Sequence, residues 1–256
     1  MALAERMAEA APALFLDYDG TLTPIVSRPE MAVLDPAMRE RLRRLAALCP
    51  VAIVSGRDLV DLRGRVGLDG LIYAGSHGFD IEAPSGGRQF GLEYRPALQA
   101  AAERLGRELA GITGVLMEAK AFGVAVHTRN VADEASKARV RAAVEAAHAE
   151  SGRLRLTFGK EVLELRPDLD WDKGHAVLSL IEAERMEGRL PVYVGDDLTD
   201  EDAFRALAGR AAGAALGLQV GDHGQATAAT HRLPDIASVG ALLDALAAAL
   251  ERRREG

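Results

Sequence analysis

The 256-residue sequence contains a single cysteine, Cys49, so no disulfide can form within the chain. One cysteine in a chain of this length suits a reducing compartment, and we expect a cytoplasmic protein. Cys49 continues a helical apolar pattern, which predicts core packing rather than thiol chemistry. No apolar run reaches 18 residues without charges, and residues 1–12 lack the basic start and long apolar stretch of a signal peptide. We therefore predict neither a membrane span nor a leader.

The chain also lacks an excess of basic residues. Its 31 Lys and Arg stand against 38 Asp and Glu, which gives a net charge of −7. This balance argues against nucleic acid or an anionic membrane as the main partner. A ligand that carries phosphate would need a locally positive site made of metal, Lys or Arg. With 48% hydrophobic and 27% charged residues, the composition fits one large or two smaller globular domains.

Two kinds of hydrophobic pattern divide the chain. Buried strands are predicted at four short apolar runs, residues 13–16, 51–54, 71–74 and 191–194. These runs alternate with helical patterns such as that over 38–49, which predicts a doubly wound parallel sheet (a Rossmann-like α/β core) with right-handed crossovers. Between 96 and 167 the order changes to helix, strand, strand, repeated once, which predicts an inserted α+β domain. The expected core is therefore 1–95 and 168–256.

Two aspartates stand directly after the first predicted strand, in Asp17-Tyr18-Asp19-Gly20-Thr21. Open α/β sheets bind their ligands at the carboxyl ends of their strands. One carboxylate there can attack an electrophile, the other can hold or deliver a proton, and a divalent metal would let both stay ionised. The alternative is a strand that runs into an Asp-Gly turn with solvated acids.

Further polar residues follow other strands or precede a helix: Ser55-Gly56-Arg57, Lys173, and Gly195-Asp196-Asp197 with Asp200. The Asp196 carboxylate and the two first-strand aspartates suit Mg²⁺, which prefers oxygen ligands. Ser55 and the backbone near Gly56 can donate to phosphate oxygens, and Lys173 can neutralise them. Taken singly, these residues also fit a turn, a solvated lysine and a helix N-cap. Together they predict a phosphoryl-transfer site.

These four motifs resemble those of the haloacid dehalogenase superfamily of phosphatases, over nearly the whole chain. The resemblance implies that Asp17 is the nucleophile of an aspartyl-phosphate intermediate and that Asp19 protonates the leaving group and then activates water. It implies that the phosphoryl group is bound by Ser55, Gly56 and Lys173. The implied Mg²⁺ ligands are Asp17, the Asp19 backbone carbonyl and Asp196, with Asp197 and Asp200 in support.

Further motifs resemble the trehalose-6-phosphate phosphatase branch of that superfamily: Gly75-Ser76-His77-Gly78, Glu118-Ala119-Lys120, His127-Thr128-Arg129, Glu164-Leu165-Arg166-Pro167 and Trp171-Asp172-Lys173-Gly174. This resemblance implies hydrolysis of trehalose 6-phosphate and an inserted domain that acts as a cap. It implies that Glu118, Lys120 and Glu164 grip the distal glucose. It also implies substrate contacts for three further residues, Arg57, His77 and Arg129. One departure is Thr128, where many relatives carry an aromatic residue.

Several alternatives stay open at the level of sequence. The charged residues of the insert also fit an exposed, salt-bridged sheet face, and His77 also fits a loop histidine that caps backbone carbonyls. The same core motifs would serve a phosphatase for sucrose 6-phosphate or a glycosyl-glycerate phosphate, or a phosphomutase. A non-catalytic sugar-phosphate sensor, or a partner subunit of a trehalose-phosphate synthase, belongs to another class. Functional pairing of an active phosphatase with such a synthase is a further expectation.

Overall fold

A computed structural model of the protein describes residues 2–26, 28–159, 161–210, 214–222, 224 and 226–255. Contacts divide the chain into two compact units. Unit 1 comprises Met1–Arg88 and Trp171–Gly256, and unit 2 comprises Gln89–Asp170.

The described residues form twelve strands and eight α-helices. The strands are β1 (Pro12–Leu16), β2 (Val51–Val54), β3 (Ile72–Gly75), β4 (Asp80–Glu82), β5 (Arg88–Gln89), β6 (Leu116–Lys120), β7 (Gly123–His127), β8 (Leu154–Gly159), β9 (Val162–Pro167), β10 (Leu190–Gly195), β11 (Leu216–Val220) and β12 (His231–Leu233). The helices are α1 (Leu3–Glu9), α2 (Pro36–Ala46), α3 (Leu59–Val66), α4 (Arg95–Leu109), α5 (Glu134–Ser151), α6 (Lys173–Ala183), α7 (Asp200–Ala208) and α8 (Ile236–Glu255).

The large sheet has the strand order β12-β11-β10-β1-β2-β3-β4-β5. Strands β12 to β3 are parallel, and β4 runs antiparallel to β3. The predicted α/β class with a parallel sheet is confirmed. Strand β1 lies between β10 and β2, so the segments that leave these three strands at their carboxyl ends are neighbours. The backbone N–H of Asp17 accordingly donates to the carbonyl of Val194 at 2.9 Å.

Helices cover both faces of this sheet. Strands β1, β2, β10 and β11 are buried along their whole length, which is why their sequences are apolar runs and not alternating patterns. Helices α1, α2, α3 and α8 pack on one face, through side chains such as Leu42 and Leu246. Helices α6 and α7 pack on the other face. Burying one such leucine contributes about 1.5–3 kcal/mol.

Unit 2 contains a four-stranded antiparallel sheet with the order β6-β7-β9-β8. Helices α4 and α5 pack on one face, where Val124, Val126 and Leu165 are buried. Side chains alternate along a strand, so the opposite face carries the residues in between, which include Glu118 and Glu164. One face of this sheet is therefore apolar and the other is charged.

Some details differ from the sequence prediction. The pattern over 38–49 continues past the end of the helix, because α2 ends at Ala46, and Cys49 lies in the turn before β2, where it is 7% exposed. Strands β4 and β5 extend the large sheet, and the periodicity does not predict α1. In the described part of the chain, no helix is long and apolar enough to cross a membrane.

Candidate active site

Asp17 lies directly beyond the buried carboxyl end of β1 and is 4% exposed. The chain turns sharply after it, because Gly20 adopts a φ of +87° that side-chain-bearing residues rarely adopt. A Cβ atom at Gly20 would lie 2.1 Å from a carboxylate oxygen of Asp196. The glycine of the first motif therefore lets the segments after β1 and β10 approach each other.

Lys173 is the first residue of α6. It is 3% exposed and lies among carboxylates. Its Nζ is 2.7 Å from Oδ1 of Asp17 and 2.7 Å from Oδ1 of Asp200. Asp172 caps the helix by accepting from the backbone of His175, which fixes where α6 begins. Gly174 lets α6 pack closely on α7, since a Cβ there would lie 2.5 Å from the Asp202 carbonyl oxygen.

Asp200 is fully buried, and all the accepting positions of its carboxylate are used. Oδ1 accepts from the Lys173 Nζ and, at 2.6 Å, from the Tyr193 hydroxyl. Oδ2 accepts from the backbone N–H groups of Asp196 and Asp197, each at 2.9 Å. Asp200 thus orients its neighbours and has no lone pair left for another ligand.

The carboxylates of Asp17, Asp196 and Asp200 each place an oxygen within 4.8 Å of the others, as in a metal site. Since Asp200 is saturated, Asp17 and Asp196 are the two that could hold a metal. Asp196 is further oriented by the hydroxyl of the buried Thr21, 3.3 Å from its Oδ1. Three carboxylates against one ammonium leave a formal charge of −2 in a buried cluster. A divalent cation with oxygen ligands fits both this charge and this donor set.

Burial and the excess of negative charge raise the pKa values of several groups in this cluster. Burial raises the pKa of Asp17 well above its usual value, and the Lys173 ammonium only partly opposes the rise. Burial and the charge of Asp200 raise the pKa of Asp196 to about 7. Burial alone would lower the pKa of Lys173, but the charges of Asp17 and Asp200 outweigh it and raise that pKa. The ammonium therefore stays charged, while the carboxylates lack enough positive charge around them.

Asp19 lies two residues after Asp17, and its carboxylate faces Arg57. The Arg57 Nε and one terminal nitrogen donate to the two Asp19 oxygens at 2.6 and 2.7 Å, a bidentate pair. The other terminal nitrogen donates to Asp61 at 2.9 Å, and the guanidinium lies 5.3 Å from the centroid of the Tyr18 ring. Arg57 is thus held on several sides and fixes the Asp19 side chain. The substrate contact predicted for Arg57 stays a prediction.

Ser55 and Gly56 follow β2 at the same sheet edge, and Ser55 is 1% exposed. The Ser55 hydroxyl oxygen accepts from the Arg57 backbone N–H at 3.2 Å, which leaves its proton for another acceptor. The Ser55 carbonyl accepts from the backbone N–H of His77 at 2.8 Å. A Cβ at Gly56 would lie 2.7 Å from the His77 imidazole, so this buried ring lies directly against the loop. The substrate contact predicted for His77 also stays a prediction.

Asp197 is exposed, and its Oδ1 accepts from the backbone N–H of Leu198 at 2.6 Å. It is not among the three carboxylates that meet, so the metal roles predicted for Asp197 and for Asp19 stay predictions.

The polar face of the unit 2 sheet carries paired polar side chains from three strands. Lys120 Nζ lies 3.3 Å from Oε1 of Glu164, and Arg166 donates to Oε2 of Glu164 at 2.7 Å. On the same face, His127 Nε2 lies 3.2 Å from Oε2 of Glu118. Although burial opposes it, the charges of Lys120 and Arg166 lower the pKa of Glu164 below its usual value. The structure thus brings the predicted Glu118, Lys120 and Glu164 to one face.

Arg129 is placed differently from the other predicted residues of unit 2. In a continuous strand the motif His127-Thr128-Arg129 would place His127 and Arg129 on one face, but β7 ends at His127. The backbone turns beyond it, because Val131 N–H donates to the Thr128 carbonyl at 2.9 Å. Arg129 is therefore an exposed residue of a turn.

Three residues of these clusters escape motif-based reasoning: Thr21 and Tyr193 in unit 1 and Arg166 in unit 2. Each lies inside or beside a motif but is not an acid, a nucleophile or a motif lysine. A signal was available for Tyr193, since a tyrosine in an apolar buried strand needs a partner for its hydroxyl. The sequence does not indicate which partner.

Comparison with known proteins shows the family of the chain. The trehalose-phosphatase family model matches residues 15–234. A trehalose-phosphate phosphatase of Mycobacterium avium is 47% identical over 257 residues, covering 97% of this chain and 65% of the relative. An uncharacterized glycosyl hydrolase of Mycobacterium tuberculosis is 46% identical over 251 residues, covering 94% of this chain. The chain spans less than two thirds of the length of both relatives, and 18% of the second.

The fold has counterparts of known structure. A crystal structure of a trehalose-6-phosphate phosphatase related protein superposes with a TM-score of 0.82 at 25% identity, covering 94% of this chain and 99% of the other. A haloacid dehalogenase-like hydrolase from Bacteroides thetaiotaomicron shares the fold as well, with a TM-score of 0.60 at 18% identity over 94% of this chain and 99% of the other. Because the family model matches most of the sequence, from the first strand to β12, the chain belongs to the trehalose-phosphatase family.

Proposed function

We propose that the protein is a metal-dependent phosphatase that hydrolyses trehalose 6-phosphate to trehalose and phosphate. One observation carries this proposal: a buried carboxylate, Asp17, is held by Lys173 in a cluster whose formal charge is −2. A carboxylate can attack a phosphate ester only where cations offset the repulsion between the two anions. The membership of the chain in the trehalose-phosphatase family supports the same function.

The proposed first step is attack by an Asp17 oxygen on phosphorus. A bond forms between Asp17 and phosphorus, the bond from phosphorus to the sugar oxygen breaks, and Asp19 gives that oxygen a proton. Asp19 then takes a proton from water, the water oxygen bonds to phosphorus, and the bond from phosphorus to Asp17 breaks to release phosphate. Lys173 and the Ser55 hydroxyl donate to the phosphoryl oxygens. In the structure both Asp19 oxygens accept from Arg57, so Asp19 must turn away from Arg57 to hold the proton that it gives to the sugar oxygen.

We further propose that the cation is Mg²⁺, held by Asp17 and Asp196 together with the Asp19 backbone carbonyl. When bound, it would supply positive charge to the phosphoryl oxygens and keep Asp17 ionised. The raised pKa values of Asp17 and Asp196 support the need for such a charge. Asp200, with its four hydrogen bonds, is left outside this ligand set.

We assign unit 1 the role of catalytic core and unit 2 the role of the substrate-specificity domain, or cap. In unit 2, Glu118, Lys120 and Glu164 form a polar surface of fixed carboxylates and ammonium, which suits hydroxyl groups of a sugar. We propose that these three residues bind the distal glucose. Arg129, Arg57 and His77 are proposed as further contacts near the substrate.

Two further proposals concern the setting of the enzyme. We place it in the cytoplasm, since the single cysteine is buried and suits a reducing compartment. We also propose that it works together with a trehalose-phosphate synthase, because a synthase supplies the substrate that this activity consumes.

The proposal is tested by phosphate release in Mg²⁺ from trehalose 6-phosphate, sucrose 6-phosphate, glucose 6-phosphate, mannosyl-phosphoglycerate and p-nitrophenyl phosphate. We expect kcat/KM for trehalose 6-phosphate to exceed the others by about a hundredfold, since several sugar contacts contribute. Equal turnover of all five would remove the sugar assignment and leave the phosphatase. Binding without turnover would identify a sensor, and sugar-phosphate isomerisation primed by a bisphosphate would identify a phosphomutase.

A further inference from the structure

We propose that Tyr193 is a positioning residue for the phosphatase reaction: its hydroxyl holds Asp200 so that Lys173 stays directed at Asp17. The inference rests on the proposed function. It concerns a residue in the middle of an apolar strand, outside the motifs that carry the chemistry.

The contact is short and buried. Tyr193 is 0% exposed, and its hydroxyl donates to Oδ1 of Asp200 at 2.6 Å. The same oxygen accepts from Lys173 Nζ at 2.7 Å. A carboxylate oxygen offers about two accepting positions, so the tyrosine occupies one and leaves the ammonium the other. Lys173 can then approach Asp200 from only one direction, and that direction also brings it to Asp17.

The tyrosine ring is itself fixed by the helix that begins at Asp200. Phe204 of α7 meets the Tyr193 ring edge-on, with centroids 5.6 Å apart and an interplanar angle of 85°. The absence of a side chain at Gly195 leaves room for the Asp200 carboxylate, because a Cβ at Gly195 would lie 2.3 Å from the Asp200 Cγ. Strand β10 thus supplies a donor, at Tyr193, and two positions later the space that the acceptor needs.

Removal of the hydroxyl would change the balance between the two carboxylates that share the ammonium. Without the tyrosine donor, Oδ1 of Asp200 would carry more uncompensated negative charge and attract Lys173 more strongly. The ammonium would shift away from Asp17 and from a phosphoryl group bound there. We therefore expect turnover to fall, while sugar binding by unit 2 is unaffected.

The chain offers a matched control in Tyr73 of β3, in the same sheet. Tyr73 is also 0% exposed, and its hydroxyl donates to the Leu68 carbonyl at 2.6 Å. Tyr73→Phe and Tyr193→Phe both remove one buried hydroxyl from one sheet. Of these two tyrosines, only Tyr193 contacts Asp200. A general loss of stability should therefore appear in both variants, whereas a shift of Lys173 should appear in Tyr193→Phe alone.

The experiment compares kcat and KM of both variants with the wild type, using trehalose 6-phosphate and p-nitrophenyl phosphate in saturating Mg²⁺. We expect Tyr193→Phe to lower kcat about tenfold on both substrates, with KM for trehalose 6-phosphate within about twofold. Tyr73→Phe should keep kcat within about twofold. Equal kcat losses in the two variants, or wild-type kcat in Tyr193→Phe, would overturn the proposal.

A crystal structure of Tyr193→Phe gives a readout that does not depend on activity. We expect the distance from Lys173 Nζ to Asp17 Oδ1 to lengthen, and the same distance to be unchanged in Tyr73→Phe. An unchanged distance in Tyr193→Phe would refute the positioning role even if the wild type hydrolysed none of the esters. Absence of wild-type turnover would instead refute the proposed function, so the two failures are distinguishable.

Discussion

In unit 1 two buried carboxylates, Asp17 and Asp200, share one ammonium and a third lies beside them, whereas on the polar face of unit 2 Glu118 and Glu164 each meet a basic side chain. The first cluster is almost inaccessible, with Asp17, Lys173 and Asp200 at 0 to 4% exposure. In the second, the Glu118 and His127 side chains are 29 and 31% exposed, while Glu164 is buried. A buried excess of charge is costly, so such a cluster is kept where chemistry needs it. Carboxylates that are each matched by a basic side chain instead suit recognition of a neutral polar ligand.

The largest expected effect comes from the nucleophile. Asp17→Asn keeps the shape of the side chain but removes its charge, and we expect kcat to fall by about a thousandfold or more on every phosphate ester. The matched control is Asp235→Asn, which alters an exposed aspartate that accepts from Ser238 ahead of α8. Asparagine serves equally well in such a position, so the control should keep wild-type rates. Normal turnover of Asp17→Asn would refute the nucleophile.

Removal of the metal should come next in size. We expect EDTA to lower phosphate release from all substrates by at least about a hundredfold, and Mg²⁺ to restore it, because only a cation balances the cluster of charge −2. Thermal denaturation provides a second measurement. A ligand at a hundred times its Kd stabilises the folded state by about 2.7 kcal/mol. A melting temperature that does not respond to Mg²⁺ would contradict a site at Asp17 and Asp196.

Arg57 tests how far positioning matters within unit 1. Arg57→Lys cannot keep the bidentate contact with Asp19, so we expect kcat to fall about tenfold to a hundredfold. Arg39→Lys is the control, because Arg39 donates to two backbone carbonyls, those of Arg65 and Val66. If both lysine variants showed similar rates, the contact with Asp19 would have no part in turnover.

The polar face of unit 2 should respond in KM and in substrate choice. We expect Glu118→Gln to raise KM for trehalose 6-phosphate about tenfold and to leave p-nitrophenyl phosphate unaffected, because the smaller ester lacks a sugar. Glu108→Gln, on α4 of the same unit and paired with Arg104 along the helix, should change neither value. Equal impairment with both substrates would show that Glu118 does not recognise sugar.

The smallest effect concerns stability and pH. The pKa of Glu164 is lowered from 4.5, so its charge stabilises the fold above pH 4.5. This contribution is lost as the pH falls through the lowered folded-state pKa. Glu164→Gln should therefore be less stable than the wild type by about 1–3 kcal/mol at pH 7, with a difference that shrinks below pH 4.5. Melting curves across that range measure it, and a constant difference would contradict the assigned charge.

Much of the fold follows from local patterns. The strands that became β1, β2, β3 and β10 are apolar runs of four or more residues, and a buried parallel strand needs no more than that. The antiparallel β4 and the end of β7 at His127 do not follow from such patterns. Both depend on backbone hydrogen bonds that side-chain patterns do not specify: β4 pairs with β3, and beyond β7 the Val131 N–H donates to the Thr128 carbonyl.

The sequence by itself determined which functional groups are present and where they stand along the chain. They are two acids after one strand, a serine after the next, a lysine at a helix start and an aspartate cluster after β10. Residue type and spacing suffice for that, because carboxylates and ammonium groups keep their character in any fold. The tertiary structure alone decided the pairs. Asp200 is saturated by Tyr193, Lys173 and two backbone groups, and Asp19 is turned to Arg57. The Lys173–Asp200 and Asp19–Arg57 contacts join residues 27 and 38 positions apart, so packing, and not local sequence, selects them.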